Sequence, residues 1–176
     1  MSEKNENGLP SPDEREAALM ERLSALQIAT RTHTHAPVFT VEEAQSLRGA
    51  LPGTHTKNLF LEDRKGGLWL VVAREELSID LNALAKALGA PRFSFGKPET
   101  MIAVLSVAPG AVTPFALMND RDARVRVVFD AGMLEDPLNF HPLRNDKTTA
   151  IALADLIRFV AGTGHEVRTM ELPQRV

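Results

Sequence analysis

The sequence predicts one α+β domain in which a mixed β-sheet is flanked by helices, and three observations lead there. Segments of helical and of strand periodicity follow one another without an internal repeat or linker. Two pairs of strand-like runs are joined by turn-length spacers, so some neighbours must be antiparallel. The 176 residues, 44% hydrophobic and 24% charged, are enough for one core and have the balance of an ordinary globular protein.

The elements follow in order. Residues 1–10 are expected to be a disordered tail and residues 11–176 the single domain. Ser11-Pro12-Asp13-Glu14 combines a serine cap, a proline at the first helical position and a glutamate three after the cap, and Leu19, Leu23 and Leu26 then share one face. Ile28 to His35 reads as a strand. Thr40-Val41-Glu42-Glu43 opens a short helix ending near Gly49, and Leu51-Pro52-Gly53 is a loop. His55–Leu61 and Leu68–Ala73 flank a charged turn with two glycines and form a hairpin. Asp80 caps a helix that Gly89 ends, Arg92–Phe95 is a short strand, and Pro98 begins a helix to about Leu105. Val112–Leu117 and Arg124–Phe129 are expected as a second hairpin turning at Asn119-Asp120. Leu138–His141 and Thr148–Ile151 read as strands, Ala154–Ala161 as an amphipathic helix, and Val167–Leu172 as a last strand.

Several function classes fall away. No apolar run of about eighteen residues exists to cross a membrane. The polar first residues lack a secretory pattern, and the absence of cysteine fits a cytoplasmic setting. Net charge is −3, so coating of long DNA is not expected; a nucleic-acid partner would be held through a local basic patch. No nucleophile elbow, zincin motif, P-loop or dinucleotide fingerprint is present. His33 and His35, two apart on a strand, lack a third ligand at a recognisable spacing, so no metal site and no cofactor are assigned. His165 is read as a partner of a helix C-terminus.

The candidate chemistry lies in three places. Lys57 enters an otherwise apolar strand, either as an outward solvated side chain or as a cation lining a pocket, with Asn58 directed to the opposite face. Gly110-Ala111-Val112-Thr113-Pro114 is a glycine-led loop that is either a plain turn or a set of inward main-chain N–H groups suited to an oxyanion. His141 precedes Pro142, where strand pairing must stop and a ring can face a cleft. Asn145, Asp146, Thr148 and Thr149 are read as turn and strand-entry residues.

Three stretches, 53–61, 109–120 and 139–150, in this order, resemble the YbaK-like prolyl-tRNA editing superfamily, related to the insertion domain of bacterial prolyl-tRNA synthetase. The resemblance runs from about His35 to Val160. It implies a barrel-like mixed sheet flanked by helices and a free-standing trans-editing deacylase for alanyl-tRNA(Pro) that spares prolyl-tRNA(Pro) by pocket size. It also implies the acceptor end of mischarged tRNA(Pro) as partner, with prolyl-tRNA synthetase as a further one. Lys57 matches the family's essential lysine, Asn58 the asparagine beside it, Gly110 and Pro114 the ends of its G-x-x-x-P loop, and His141 the pocket histidine. Catalytic roles are accordingly expected for Lys57, Gly110 and His141, and substrate contacts for Asn58, Ala111, Val112, Thr113 and Pro114. Two alternatives stay open: editing of another small residue, cysteine or serine, and a non-catalytic module that binds acceptor stems or protein.

Overall fold

The computed structural model describes residues 8–37, 51–134 and 136–176. The expected helix at 40–49 and the tail before residue 8 lie outside them. The chain is already tied down ahead of Ser11, because Leu9 is buried and the Pro10 carbonyl accepts from Arg15.

The helices begin where their caps require. Ser11 accepts from the Glu14 N–H and starts α1 (Pro12–Ala25); Asp80 accepts from Ala83 and starts α2 (Leu81–Leu88), which Gly89 ends in the left-handed region at φ 67°. Pro98 opens α3 (Pro98–Leu105), and α4 is Leu153–Gly162. The strands are β1 (Arg31–Thr34), β2 (Thr54–Asp63), β3 (Leu68–Arg74), β4 (Phe93–Phe95), β5 (Val125–Asp130), β6 (Leu138–Phe140), β7 (Lys147–Ile151) and β8 (Val167–Met170).

They form one mixed sheet in the order β1-β7-β6-β2-β3-β5-β8, with β4 also on β2. The sheet is open, with β1 and β8 at its ends. β2 and β3 are the expected hairpin, and Asp63 locks its turn by accepting from Lys65, Gly67 and the Trp69 indole. β3 is apolar from Leu68 to Ala73 because both of its faces are covered there. On one face Leu68, Leu70 and Val72 join a large core with α1, α3 and α4; on the other Trp69, Val71 and Ala73 pack under α2.

The second expected hairpin is not formed. Residues 114–119 are a 3-10 helix, and β5 pairs in parallel with β3 and β8. Pro114 presets a helical φ, the Thr113 hydroxyl accepts from Phe115, and Phe115, Ala116 and Leu117 are all buried. A short apolar run enclosed on every side has no period to distinguish it from a strand. The second hairpin is instead β6–β7, which are antiparallel. β1 is shorter than expected, and Leu172 lies beyond β8 in the smaller core. His165 does meet the end of α4, with Nδ1 2.8 Å from the hydroxyl of the C-cap residue Thr163, but its larger role lies elsewhere. It is buried, donating from Nε2 to Asp120 at 2.8 Å, while Asp120 accepts further from Arg124 and Val125.

Candidate active site

The sheet splits along one edge of β2. On that edge β6 reaches only Thr54 and His55, and β4 only Leu61 to Asp63. The hydrogen-bond pattern fixes which main-chain groups face the split. The His55 carbonyl accepts from Glu75 and the Asp63 N–H donates to Gly67, so the odd residues of β2 use their main chain on β3. Even residues point the other way: Thr54 donates to Pro137, and the Phe60 carbonyl accepts from Gly96. Asn58 lies between them, so its N–H and C=O enter the split with no strand partner among the described residues.

The Asn58 side chain lies on the same face as Phe60, beside Val72 across the ladder. Its Oδ1 is buried and accepts no hydrogen bond among the described residues. Such an oxygen costs about 1–3 kcal/mol, which makes it a candidate to receive a ligand donor. Lys57 lies on the opposite face with Leu59 and Leu61, half-buried, and its amine donates to the Leu77 carbonyl. Burial pushes that amine below the ordinary lysine value, against the pull of Glu75. Close by, residues 53–55, 74–76 and Gly132 line a cleft of about 360 Å³.

β6 runs parallel to β2, and two more residues of its register would bring His141 beside Lys57; the ladder stops first, at Asn139. His141 Nδ1 donates to the Lys147 carbonyl at 2.8 Å, which places the proton there and leaves Nε2 available. Burial lowers the His141 pKa, an effect the neighbouring His35 adds to. The His35 ring stands 6.2 Å away, centroid to centroid, with Nε2 2.8 Å from the Thr148 hydroxyl. Sequence reasoning considered His35 only as half of an incomplete metal pair with His33, because nothing along the chain signals its meeting with a loop a hundred residues on.

The loop that carries His141 is clamped by α1. Arg15 donates to the Leu143 carbonyl at 3.0 Å; Arg144 pairs with Asp13 at 2.6 Å and with Asp146; Lys147 pairs with Glu16 at 2.6 Å. Gly110, at φ 93°, comes up to the same loop, and a Cβ there would stand 3.7 Å from Asn145 Nδ2. Asn145 had been read as a turn residue only. In the glycine-led loop the Ala111 N–H is already used, donating to Ala108, whereas those of Gly110 and Val112 have no partner among the described residues. Ala111, Thr113 and Pro114 are buried and shape the loop. The structure therefore brings Gly110 to the 141–147 loop and leaves Lys57 bonded elsewhere. Among the described residues, no cluster of three or more His, Asp or Glu side chains is arranged to hold a metal ion.

The fold is an α+β domain whose mixed sheet opens along β2 beside the unpartnered Asn58 oxygen, and its class is that of the aminoacyl-tRNA editing domains. The model of the aminoacyl-tRNA editing domain matches residues 35–159, and the chain belongs to that family, whose reaction is deacylation of aminoacyl-tRNA. It is 42% identical over 156 residues to prolyl-tRNA synthetase associated domain-containing protein 1 of Bos taurus, covering 85% of this chain and 91% of that one. It is 34% identical to the prolyl-tRNA editing protein ProX of Acetoanaerobium sticklandii, covering 88% of this chain and 96% of that one. Among solved structures, a protein provisionally assigned as a trans-editing enzyme for prolyl tRNA synthetase superposes with a TM-score of 0.68 at 20% identity, covering 94% of this chain and 99% of that one, and shares the fold.

Proposed function

We propose that this protein hydrolyses alanine from mischarged tRNA(Pro) and spares prolyl-tRNA(Pro), with prolyl-tRNA synthetase as a candidate partner. The observation that carries the reading is the split edge of β2, where an unpartnered buried oxygen of Asn58 sits beside the main-chain N–H and C=O of the same residue. The names of the relatives above support the tRNA(Pro) assignment.

A substrate lying across the open edge touches both faces of β2. Its amino-acid end enters on the Asn58 side, where Oδ1 accepts from the α-ammonium beside Phe60 and Val72, which share that face. Its ribose-phosphate end falls on the Lys57 side, where the amine exchanges the Leu77 carbonyl for a phosphate oxygen. Water, oriented by the neighbouring ribose hydroxyl and hydrogen-bonded to Nε2 of neutral His141, attacks the ester carbonyl. The bond from that carbon to the ribose oxygen breaks, one water proton goes to the leaving ribose oxygen, the other is released to solvent, and the amino acid departs as its carboxylate. The free N–H groups of Gly110 and Val112 receive the developing oxyanion, each such donor contributing about 3 kcal/mol. Proline is refused by size, since a second site need only exclude the added methylenes that affinity separates by about 1–3 kcal/mol each.

The test is a panel of tRNAs charged with alanine, serine, cysteine or proline, scored for release of each amino acid. Alanine should be freed and proline retained, and Lys57→Ala should abolish release while the circular dichroism spectrum is unchanged. Equal cleavage of alanyl and prolyl esters, or full activity of Lys57→Ala, would overturn the proposal.

A further inference from the structure

The chain carries three more carboxylates than cations, yet one face of the sheet gathers arginines with no acidic partner. Arg124 and Arg126, two apart at the start of β5, are both exposed, as is Arg168 on the edge strand β8. Among the described residues none of the three guanidiniums is ion-paired, unlike Arg74, Arg144 and Arg158, which all are. Arg126 stands opposite Trp69 in the β3/β5 ladder, and its guanidinium lies 5.0 Å above the centre of the indole. That cation–π contact engages the face of the indole and no acceptor, so the guanidinium keeps its N–H donors for a ligand. Arg126 interacts electrostatically with Asp63 but is not ion-paired to it; that carboxylate is buried and already accepts from Trp69, Lys65 and Gly67.

Trp69, Arg126 and Arg168 line a cleft of about 450 Å³ between the end of α2 at Leu88 and the strand edge from Gly164 to Arg168, with Glu166 as its one carboxylate; Arg124 lies between two of its lining residues, Ala123 and Val125. Alternation places Arg126 and Arg168 on the same face of the sheet as Lys57. Strand spacing and rise put each roughly 16 Å from Lys57, a span of a few nucleotides. Free guanidiniums at that distance from the reacting end suit the phosphates of a continuing RNA strand. A protein partner would be expected to bring acids to a surface with apolar anchors, and Leu88 and the Val side chains in this cleft are mostly covered.

We infer that the cleft between β5, β8 and the end of α2 docks the sugar-phosphate backbone of the tRNA acceptor stem, with Arg126 and Arg168 as its phosphate contacts and the exposed Arg124 as a further one beside it. The inference rests on the tRNA reading above and adds where the body of that substrate lies. It requires that the cleft act on binding of the stem and leave the chemistry at the terminal ester untouched.

Two measurements separate these. Binding of an uncharged tRNA transcript is titrated against salt for the wild type, for Arg124→Glu/Arg168→Glu and for Glu166→Gln. Turnover is then compared on full-length alanyl-tRNA and on an alanyl ester of the trinucleotide CCA. Each lost phosphate contact should flatten the plot of log affinity against log salt by about one unit, so the double reversal should flatten it by about two. The double reversal should lower kcat/KM on full-length alanyl-tRNA at least tenfold and leave the trinucleotide ester unchanged. Glu166→Gln should tighten tRNA binding, a gain that damage to the fold cannot produce. Unchanged affinity and salt slope in the double reversal would overturn the inference, as would an equal loss of turnover on both esters. Absence of turnover by the wild type with the binding differences intact would count against the deacylation proposal and leave the cleft standing.

Discussion

Asn58→Leu should make the protein more stable and less active at once. In the wild type the amide oxygen is buried without a partner, on a face shared with Phe60 and beside Val72. Asn58 and Val72 form a non-hydrogen-bonded pair of the antiparallel ladder, the closer of the two pair types, so a branched apolar side chain at 58 meets Val72 directly. Removing the orphan oxygen recovers about 1–3 kcal/mol, and replacing asparagine by an apolar residue in a strand acts in the same direction. Taking about 2 kcal/mol, a domain of this size should gain about 4–8 °C in Tm. The main-chain N–H and C=O at 58 are unaltered, so only the side-chain acceptor is lost. On the proposed mechanism kcat/KM for alanyl-tRNA then falls about tenfold or more, since a site built to accept a hydrogen bond discriminates strongly when that bond is missing. Differential scanning calorimetry and a deacylation assay on the same preparation measure both. A variant destabilised by more than about 1 kcal/mol and still fully active would refute the reasoning, because the oxygen would then serve the fold and no ligand.

Three further outcomes are expected. Asp120→Asn removes the carboxylate that accepts from His165, Arg124 and Val125 in a buried pair, and should cost about 3 kcal/mol by urea denaturation; a loss below about 0.5 kcal/mol would contradict the assigned network. That carboxyl titrates below the ordinary value because its hydrogen bonds, led by His165, outweigh the desolvation that would raise it. Its contribution is therefore present above the unfolded pKa and is lost as pH falls through the folded one, so wild type and Asp120→Asn should converge in acid. Gly53→Ala should destabilise by more than about 3 kcal/mol, since the residue sits at φ 95° and a Cβ would collide with the Pro137 carbonyl that accepts from Thr54; an unchanged denaturation midpoint would refute this. Burial lowers the His141 pKa, so the neutral ring persists below the ordinary imidazole value of 6.5; kcat/KM should stay level down to that pH and fall in more acid solution, a limb that His141→Gln should lack.

Much of this architecture is legible in the residues, for physical reasons that also mark where reading stops. Ser11, Asp80 and Gly89 set helix ends through contacts within a few positions, and the glycine turn between β2 and β3 does the same for the hairpin, so local chemistry suffices. Alternation already places Lys57 and Asn58 on opposite faces. The 3-10 helix at Pro114 was missed because a run buried on all sides shows no periodicity, and its Thr113 cap resembles any strand entry. The Asp120–His165 pair joins residues 45 apart and the Arg15–Leu143 bond residues 128 apart, and neither has a sequence signature. The same holds for the site. Its residue types are visible along the chain, but the split that exposes Asn58 is a property of where β6 and β4 stop.

That split stands out against the care with which other buried polar groups are satisfied. Asp63 takes three donors, Asp120 three and Asp130 those of Arg74 and Gly132, while the Asn139 amide donates to the Pro52 and Thr54 carbonyls. Asn139 and Asn58 make the contrast plain: both are asparagines on neighbouring strands of one sheet, and only the one beside the gap lacks a partner for a buried atom. The other such atom among the described residues is Nε of Arg22, whose guanidinium still bonds the Gly162 carbonyl. A fold that finds partners for its carboxylates and leaves this amide oxygen bare keeps a local conflict that packing alone would remove, and such conflicts are kept where a ligand supplies the missing partner. The stability gain expected of Asn58→Leu and the activity loss expected with it are thus two readings of the same unfilled acceptor.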